Sequence, residues 1–290
     1  MASTRDIRRR IKSVKNTSQI TKAMQMVAAS KMRRAQQAAL AGQPYAVQMN
    51  KMLAAIRAAQ NEEIQHPFLE ERENHTPGVL LMSTDKGLCG ALNTNLFREI
   101  AKLPHEAEFV SMGKKGRQFL ARTGRNLIAD FELKDKPTPL QVKQISQFMI
   151  DQFLKGKIDS IHIAFPRFIN TLIQQPTIIQ VLPIKSMAQM RAGLEEKDDY
   201  IPEQPREYLF EPNPSEVLDK LLPYYVHFLV YQMLLSARAS EHSSRMVAMK
   251  NATDNAKQMI KDLTLQYNKA RQASITNEII EISTAQMALN

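Results

Sequence analysis

Apolar and small residues at both ends of the chain recur at alternating steps of three and four. Ile7, Ile11, Val14, Ser18, Thr21, Gln25, Ala28, Met32, Ala35 and Ala39 form one such line, the seam of a coiled coil built partly from small side chains. Leu218, Leu222, Tyr225, Leu229, Met233 and Ser236 begin a second, which Ala256, Ile260, Leu263, Tyr267, Ala270 and Ser274 continue. Small seam residues let two helices approach closely, and a long isolated helix is marginal in water. The two arms therefore predict a mutual, antiparallel pair. Between them the pattern changes. Short apolar runs, "GVLLMST", "AEFVSM", "IDSIHIAF" and "TIIQVLPI", alternate with helical patterns starting near Asn93, Lys114 and Thr138, predicting a small, largely parallel sheet flanked by helices. The expected fold is an α/β, Rossmann-like domain inserted between two long terminal helices that form an antiparallel coiled coil.

Helix breakers sharpen the boundaries. Twelve of the 14 prolines lie between Pro67 and Pro214, and eight of the nine glycines between Gly78 and Gly193. The first arm carries only Gly42 and Pro44, where a bend at most is expected. The expected division is 1–60 for the first helix, 61–214 for the α/β domain and 215–290 for the second helix, with Pro214 leading into it. At 1.5 Å per residue the arms are roughly 85 and 110 Å long. Paired antiparallel from a common base, the second overshoots the first by about 25 Å. That overhang is "ARQASITNEIIEISTAQMALN", which after Arg271 holds only two charges, Glu278 and Glu281. A nearly neutral, apolar helix end is costly to leave in water, so it is expected to sit inside another structure.

Charge is concentrated in the first arm. The chain carries +10 with a pI near 9.6, and residues 1–60 hold twelve Lys+Arg against the single acid Asp6. A face needing only solubility mixes signs. Nucleic acid would use such charge through phosphates, yet the chain has no Trp, Tyr45 is the arm's only aromatic, and no nucleic-acid motif appears. A membrane-surface helix would present Trp, Phe or Leu rather than Ala, Met, Ser and Thr. An acidic protein surface is the best-fitting partner. Methionines at 24, 26 and 32 suit either a contact that repacks or an ordinary gap in a coiled coil. The most apolar run, "LLPYYVHFLVYQMLLSA", is too short to span a bilayer, so no transmembrane segment is expected.

Catalytic chemistry finds little footing. The six histidines, at 66, 75, 105, 162, 227 and 242, show no metal-ligand spacing. "STDKGLCGALNTN" is a strand-to-helix turn of the kind that can cradle phosphate; it lacks the glycine fingerprints for that use, and reads as a structural turn. Its Cys89 has no His within ten residues and reads as an unreactive thiol. "EEKDDY" reads as solvated loop. No cofactor is expected. A basic coiled-coil adaptor or nucleic-acid-binding protein is the alternative class, and an enzyme using Cys89 a third; neither accounts for the neutral overhang.

"DIRRRIKSVKNTSQITKAMQMVAASKMRRAQ", "STDKGLCGALNTN", "EYLFEPNPSEVL" and "ASEHSSRMVAMKNATDNAKQMIKDLTLQYNKARQASITNEIIEI" closely resemble the gamma subunit family of F-type ATP synthases, the rotating central shaft. The resemblance covers both arms and key points of the middle. It implies a bacterial form, peripheral on the cytoplasmic face of the plasma membrane, without the cysteine-bearing insert of chloroplast members. The implied partners are three alpha and three beta subunits, the epsilon subunit and the c-ring, with no nucleic acid. The shaft itself is implied to be non-catalytic: its rotation couples ion flow to ATP synthesis or hydrolysis on beta. By the same resemblance Met24 and its basic neighbours, Lys22 among them, contact an acidic helix-turn-helix of beta. Arg271, Gln272, Thr276 and Glu278 contact a loop of beta, and Arg245 belongs to the same network. Tyr208 and Glu211 match the foot that touches the c-ring. The family's usual C-terminal Gly-Ala pair is replaced by Ala285 and Gln286.

Overall fold

The structure, a computed structural model, describes residues 4–59, 66–70, 72, 76–132, 137–184, 211 and 213–288. Its elements run α1 (Thr4–Ala59), β1 (Pro77–Met82), α2 (Leu92–Ala101), β2 (Glu108–Met112), α3 (Lys114–Arg122), β3 (Asn126–Phe131), α4 (Pro139–Leu154), β4 (Ser160–Phe168), β5 (Gln174–Leu182) and α5 (Pro214–Ala288). Two compact units divide the chain: Met1–Ala29 with Arg245–Asn290, and Ser30–Ser244.

The first unit is a helix pair. Ile7, Thr21 and Ala28 are buried on α1, and Ala256 on α5, with Ile260, Leu263, Tyr267 and Ala270 half-buried; these are the seam positions read from the 3–4 spacing. Thr21 Oγ1 and Thr253 Oγ1 meet across the seam at 2.7 Å. The hydrophobic effect along this seam is spread over small side chains, so the close approach they permit carries much of the packing.

The second unit is a three-layer sandwich around a five-stranded sheet of order β3-β2-β1-β4-β5. β1 is parallel to β2 and β4, β2 is parallel to β3, and β5 alone is antiparallel, beside β4. Strand alternation assigns the faces. Leu80, Met82, Val110, Met112, Ile161, Ile163 and Phe165 enter a core with α4 and the stretches of α1 and α5 in this unit. Val79, Leu81, Phe109 and Ala164 enter the other, beneath α2 and α3. β3 is an edge strand that the hydrophobic pattern did not reveal; its residues are mostly half-buried, and Asp130 within it pairs with Arg117 at 2.9 Å.

Local chemistry fixes the helix ends. α4 opens with Pro139 and a reciprocal capping box between Thr138 and Gln141. α5 opens where Asn213 Oδ1 accepts the Glu216 N–H at 2.9 Å. α1 runs on through Gly42 and Pro44 as one helix. A Cβ at position 42 would lie 1.8 Å from Gln232 Nε2, so glycine there admits a buried side chain of α5. Within this unit Tyr45 packs on Phe228 and Tyr224, with ring centroids 5.1 and 6.1 Å apart. Rising numbers on α1 thus meet falling numbers on α5, the antiparallel sense expected.

Candidate functional site

In the first unit, α1 carries Lys22 exposed and Met24 half-buried, and Ile20, Met26 and Val27 are largely exposed. In the second, Met32 is buried while Arg33 and Arg34 are exposed. The three methionines thus divide by exposure, which the sequence had not distinguished: Met32 is buried, Met24 half-buried, and Met26 faces outward. Asp6, the arm's one acid, lies 3.5 Å from Arg9, an exposed pair worth little in stability.

On α5 the seam ends at Ala270. Every residue from 271 to 286 is exposed, and the next seam positions, Ser274, Glu278 and Glu281, are polar. Ile275, Ile279 and Ile282 follow at i, i+4 and i+7, giving one apolar stripe beside that polar line. Ile280 adds a fourth exposed isoleucine. The helix end is therefore built to present a face and not to continue its pairing with α1. Arg271, Gln272, Thr276 and Glu278 all lie on it. Thr276 donates its hydroxyl to the Gln272 carbonyl at 2.9 Å, and Ser274 donates to Glu278 at 3.2 Å, so these groups are held on the helix. Arg245 is half-buried and some 39 Å from Arg271 at 1.5 Å per residue; the helix does not bring it to the others. Glu211 is exposed, and Tyr208 lies outside the described residues.

Two histidines of the second unit, His162 and His227, titrate below the ordinary imidazole value. Burial lowers the pKa of His162. Burial, then the charge of Lys143, lowers that of His227, whose Nδ1 is 2.6 Å from Ser146 Oγ. Cys89 is buried, with Asn93 Nδ2 3.5 Å from its sulfur and Thr84 Oγ1 at 3.9 Å, which is not the electropositive, accessible setting of a reactive thiol. Among the described residues no group of three His, Cys, Asp or Glu could hold a metal, and no helix is long and apolar enough to cross a membrane.

Comparison with known proteins matches this arrangement. A family model described as "ATP synthase" matches residues 3–289. The chain is 53% identical to the ATP synthase gamma chain of Opitutus terrae over 292 residues, covering 99% of both chains. It is 50% identical to that of Methylacidiphilum infernorum, covering 100% of both. Its fold is similar to a chain of the Euglena gracilis mitochondrial ATP synthase in rotational state 3, with TM-score 0.68 and 19% identity over 99% of this chain and 94% of that one. A chain of the Tetrahymena thermophila central stalk and c-ring aligns at TM-score 0.59 and 23% identity, over 80% and 99% of the two chains. The chain belongs to the ATP synthase gamma chain family.

Proposed function

We propose that this chain is the central-stalk rotor subunit of a bacterial F-type ATP synthase, coupling ion-driven rotation of a c-ring to conformational cycling of catalytic beta subunits. It is a non-catalytic subunit of the enzyme. The observation that carries the reading is the unpaired end of α5, exposed from 271 to 286 with an isoleucine stripe. Such a stripe needs a surrounding partner, and a collar of three alpha and three beta subunits supplies one that is symmetric enough to turn within. Met24, Lys22 and the neighbouring cations meet an acidic element of beta; Arg271, Gln272, Thr276 and Glu278 meet a beta loop, with Arg245 lower on the same helix. Exposed ion pairs suit a moving contact, because each contributes only about 0–1 kcal/mol and is readily exchanged. Tyr208 and Glu211 contact the c-ring, and the epsilon subunit is a further partner. The assembly lies on the cytoplasmic face of the plasma membrane.

The test is purification of the tagged chain from its own membranes in mild detergent, with subunit identification and an ATPase assay. Alpha, beta, epsilon and c subunits should co-purify with ATPase activity, and coupling to ion transport should be lost when residues 271–290 are deleted. Recovery of nucleic acid and no ATPase would overturn the reading in favour of a basic adaptor.

A further inference from the structure

In doubly wound sheets, ligands bind beyond the carboxyl ends of the strands, where the strand order reverses, with phosphate on a helix N-terminus. Here the order β3-β2-β1-β4-β5 reverses beside β1. The carboxyl ends of β1 and β2 are closed over by α5, with Thr84, Gly113, Pro166, Arg238 and Glu241 around a space of about 10 Å³ for water centres, enough for about one water.

One strand away, after β2, the start of α3 is an anion seat of the same kind, and it is filled by the chain itself. At the start of α3, Lys114 N–H donates to Asp85 Oδ1 at 3.1 Å, Lys115 N–H to the Thr84 carbonyl at 3.0 Å, and Gly116 N–H to Ser83 Oγ at 2.7 Å. These are three of the donors a helix start leaves open, and one acceptor is a carboxylate, as the helix dipole favours. Gly113 holds φ at 106°, and a Cβ there would lie 2.4 Å from the Ser83 carbonyl oxygen; the loop is pressed onto the helix. The opposite charge comes from α5. Arg238 is only 9% exposed, with Nη1 2.8 Å from Glu241 Oε2 and Nη2 3.9 Å from Asp85 Oδ2. Its buried Nε has no protein hydrogen-bond partner among the described residues, and Arg238 is one of the residues lining the water-sized space.

We propose that Asp85 and Arg238 are a built-in ligand: the carboxylate takes the anion seat of α3, the guanidinium neutralises it, and the pair latches α5 to the carboxyl edge of the sheet. Arg238 is then a positioning residue for transmitting rotation from the α/β domain into α5, a role that rests on the rotor reading. A charge held in a crevice has one arrangement, whereas apolar packing alone tolerates several. Asp85 is half-buried, so the pair's role lies in fixing this arrangement and not in adding much stability.

The experiment uses the assembled complex carrying Arg238→Met, Arg238→Lys or Asp85→Asn. It reads amide hydrogen exchange at 114–116 and 234–244, and ions pumped per ATP hydrolysed in membrane vesicles. The expected result is exchange about tenfold faster at both segments in Arg238→Met, with less pumping per ATP at unchanged gamma content. Arg238→Lys should restore most of both, and Asp85→Asn, which keeps an oxygen for Lys114 N–H, should reproduce the defect. Wild-type exchange in Arg238→Met, or faster exchange with unaltered pumping, overturns the proposal. Should Arg238→Met fail to assemble, Asp85→Asn decides by the same two readings. Failure of the rotor reading is visible separately, as a wild-type chain that brings down no ATPase.

Discussion

Valine at Thr21, at Thr253 and at both tests what the polar bridge between these two residues contributes. The two hydroxyls are 2.7 Å apart and buried. Each also reaches a carbonyl on its own helix, Thr21 that of Ser18 at 3.1 Å and Thr253 that of Met249 at 2.8 Å. Two hydroxyls hold two protons, so one proton bridges the pair and the other goes to a backbone oxygen. The shorter carbonyl contact favours Thr253 donating to Met249 and Thr21 donating to Thr253. With Thr21→Val, Thr253 keeps Met249; with Thr253→Val, Thr21 turns to Ser18. Neither variant orphans a buried hydroxyl, so each should lose one neutral hydrogen bond, about 1 kcal/mol, and avoid the larger desolvation penalty. The double variant removes both hydroxyl protons and so both bonds; its loss should be about 2 kcal/mol, the sum of the single losses, with a coupling near zero between the sites. Amide exchange in residues 18–28 and 246–256 of the full chain gives the local opening free energy, where each 1 kcal/mol is about fivefold in rate. A double variant that loses no more than either single variant, or a single variant costing more than about 3 kcal/mol, would refute the account in which a lone hydroxyl falls back on its own carbonyl.

Gly113→Ala should destabilise the second unit by about 3 kcal/mol, from left-handed backbone strain and overlap with a carbonyl that cannot swing away; an unchanged thermal midpoint would contradict this. His162 and His227 have pKa values held below the ordinary imidazole value, so the fold prefers them neutral. Their contribution is full above the unfolded value of about 6.5 and is lost as pH falls below it toward the folded values. The thermal midpoint should therefore drop between pH 7 and mildly acidic pH, and replacing both residues by asparagine should flatten that dependence. Met24→Lys adds a charge at the margin of the seam and should lower ions pumped per ATP more than assembly. Equal pumping in variant and wild type would sink that expectation.

The helix pair was legible because its information is local. Ile7, Thr21, Ala28 and Ala256 announce themselves by spacing alone, and each is buried. The four strands with apolar runs were legible for the same reason. β3 was not: at an edge, half-buried and carrying Asn126 and Asp130, it lacks both the continuous run of a buried strand and a clear alternation. At the phosphate-like turn the missing glycines point to a structural role, but its partners lie out of reach of the sequence. Asp85 serves α3 and not the helix that follows it, and it faces Arg238 from far along the chain. A charged residue inside a helical pattern looks solvated until the tertiary contact is known. Ile275, Ile279 and Ile282 lay in plain view as an apolar overhang; the face they share follows from helix geometry.

The bridge between Thr21 and Thr253 joins residues 232 positions apart, and this has a consequence for biosynthesis. At about 5–20 residues per second, the first helix leaves the ribosome tens of seconds before its seam partner exists. Until then Ile7, Ala28 and their neighbours have no mate, while β4 and β5, joined by a short loop, can pair within about microseconds of emerging. The newborn arm must therefore stay soluble on its own, and a dense run of like charges beside a seam of alanine, serine and threonine does that: it repels other newborn copies and offers them little to grip.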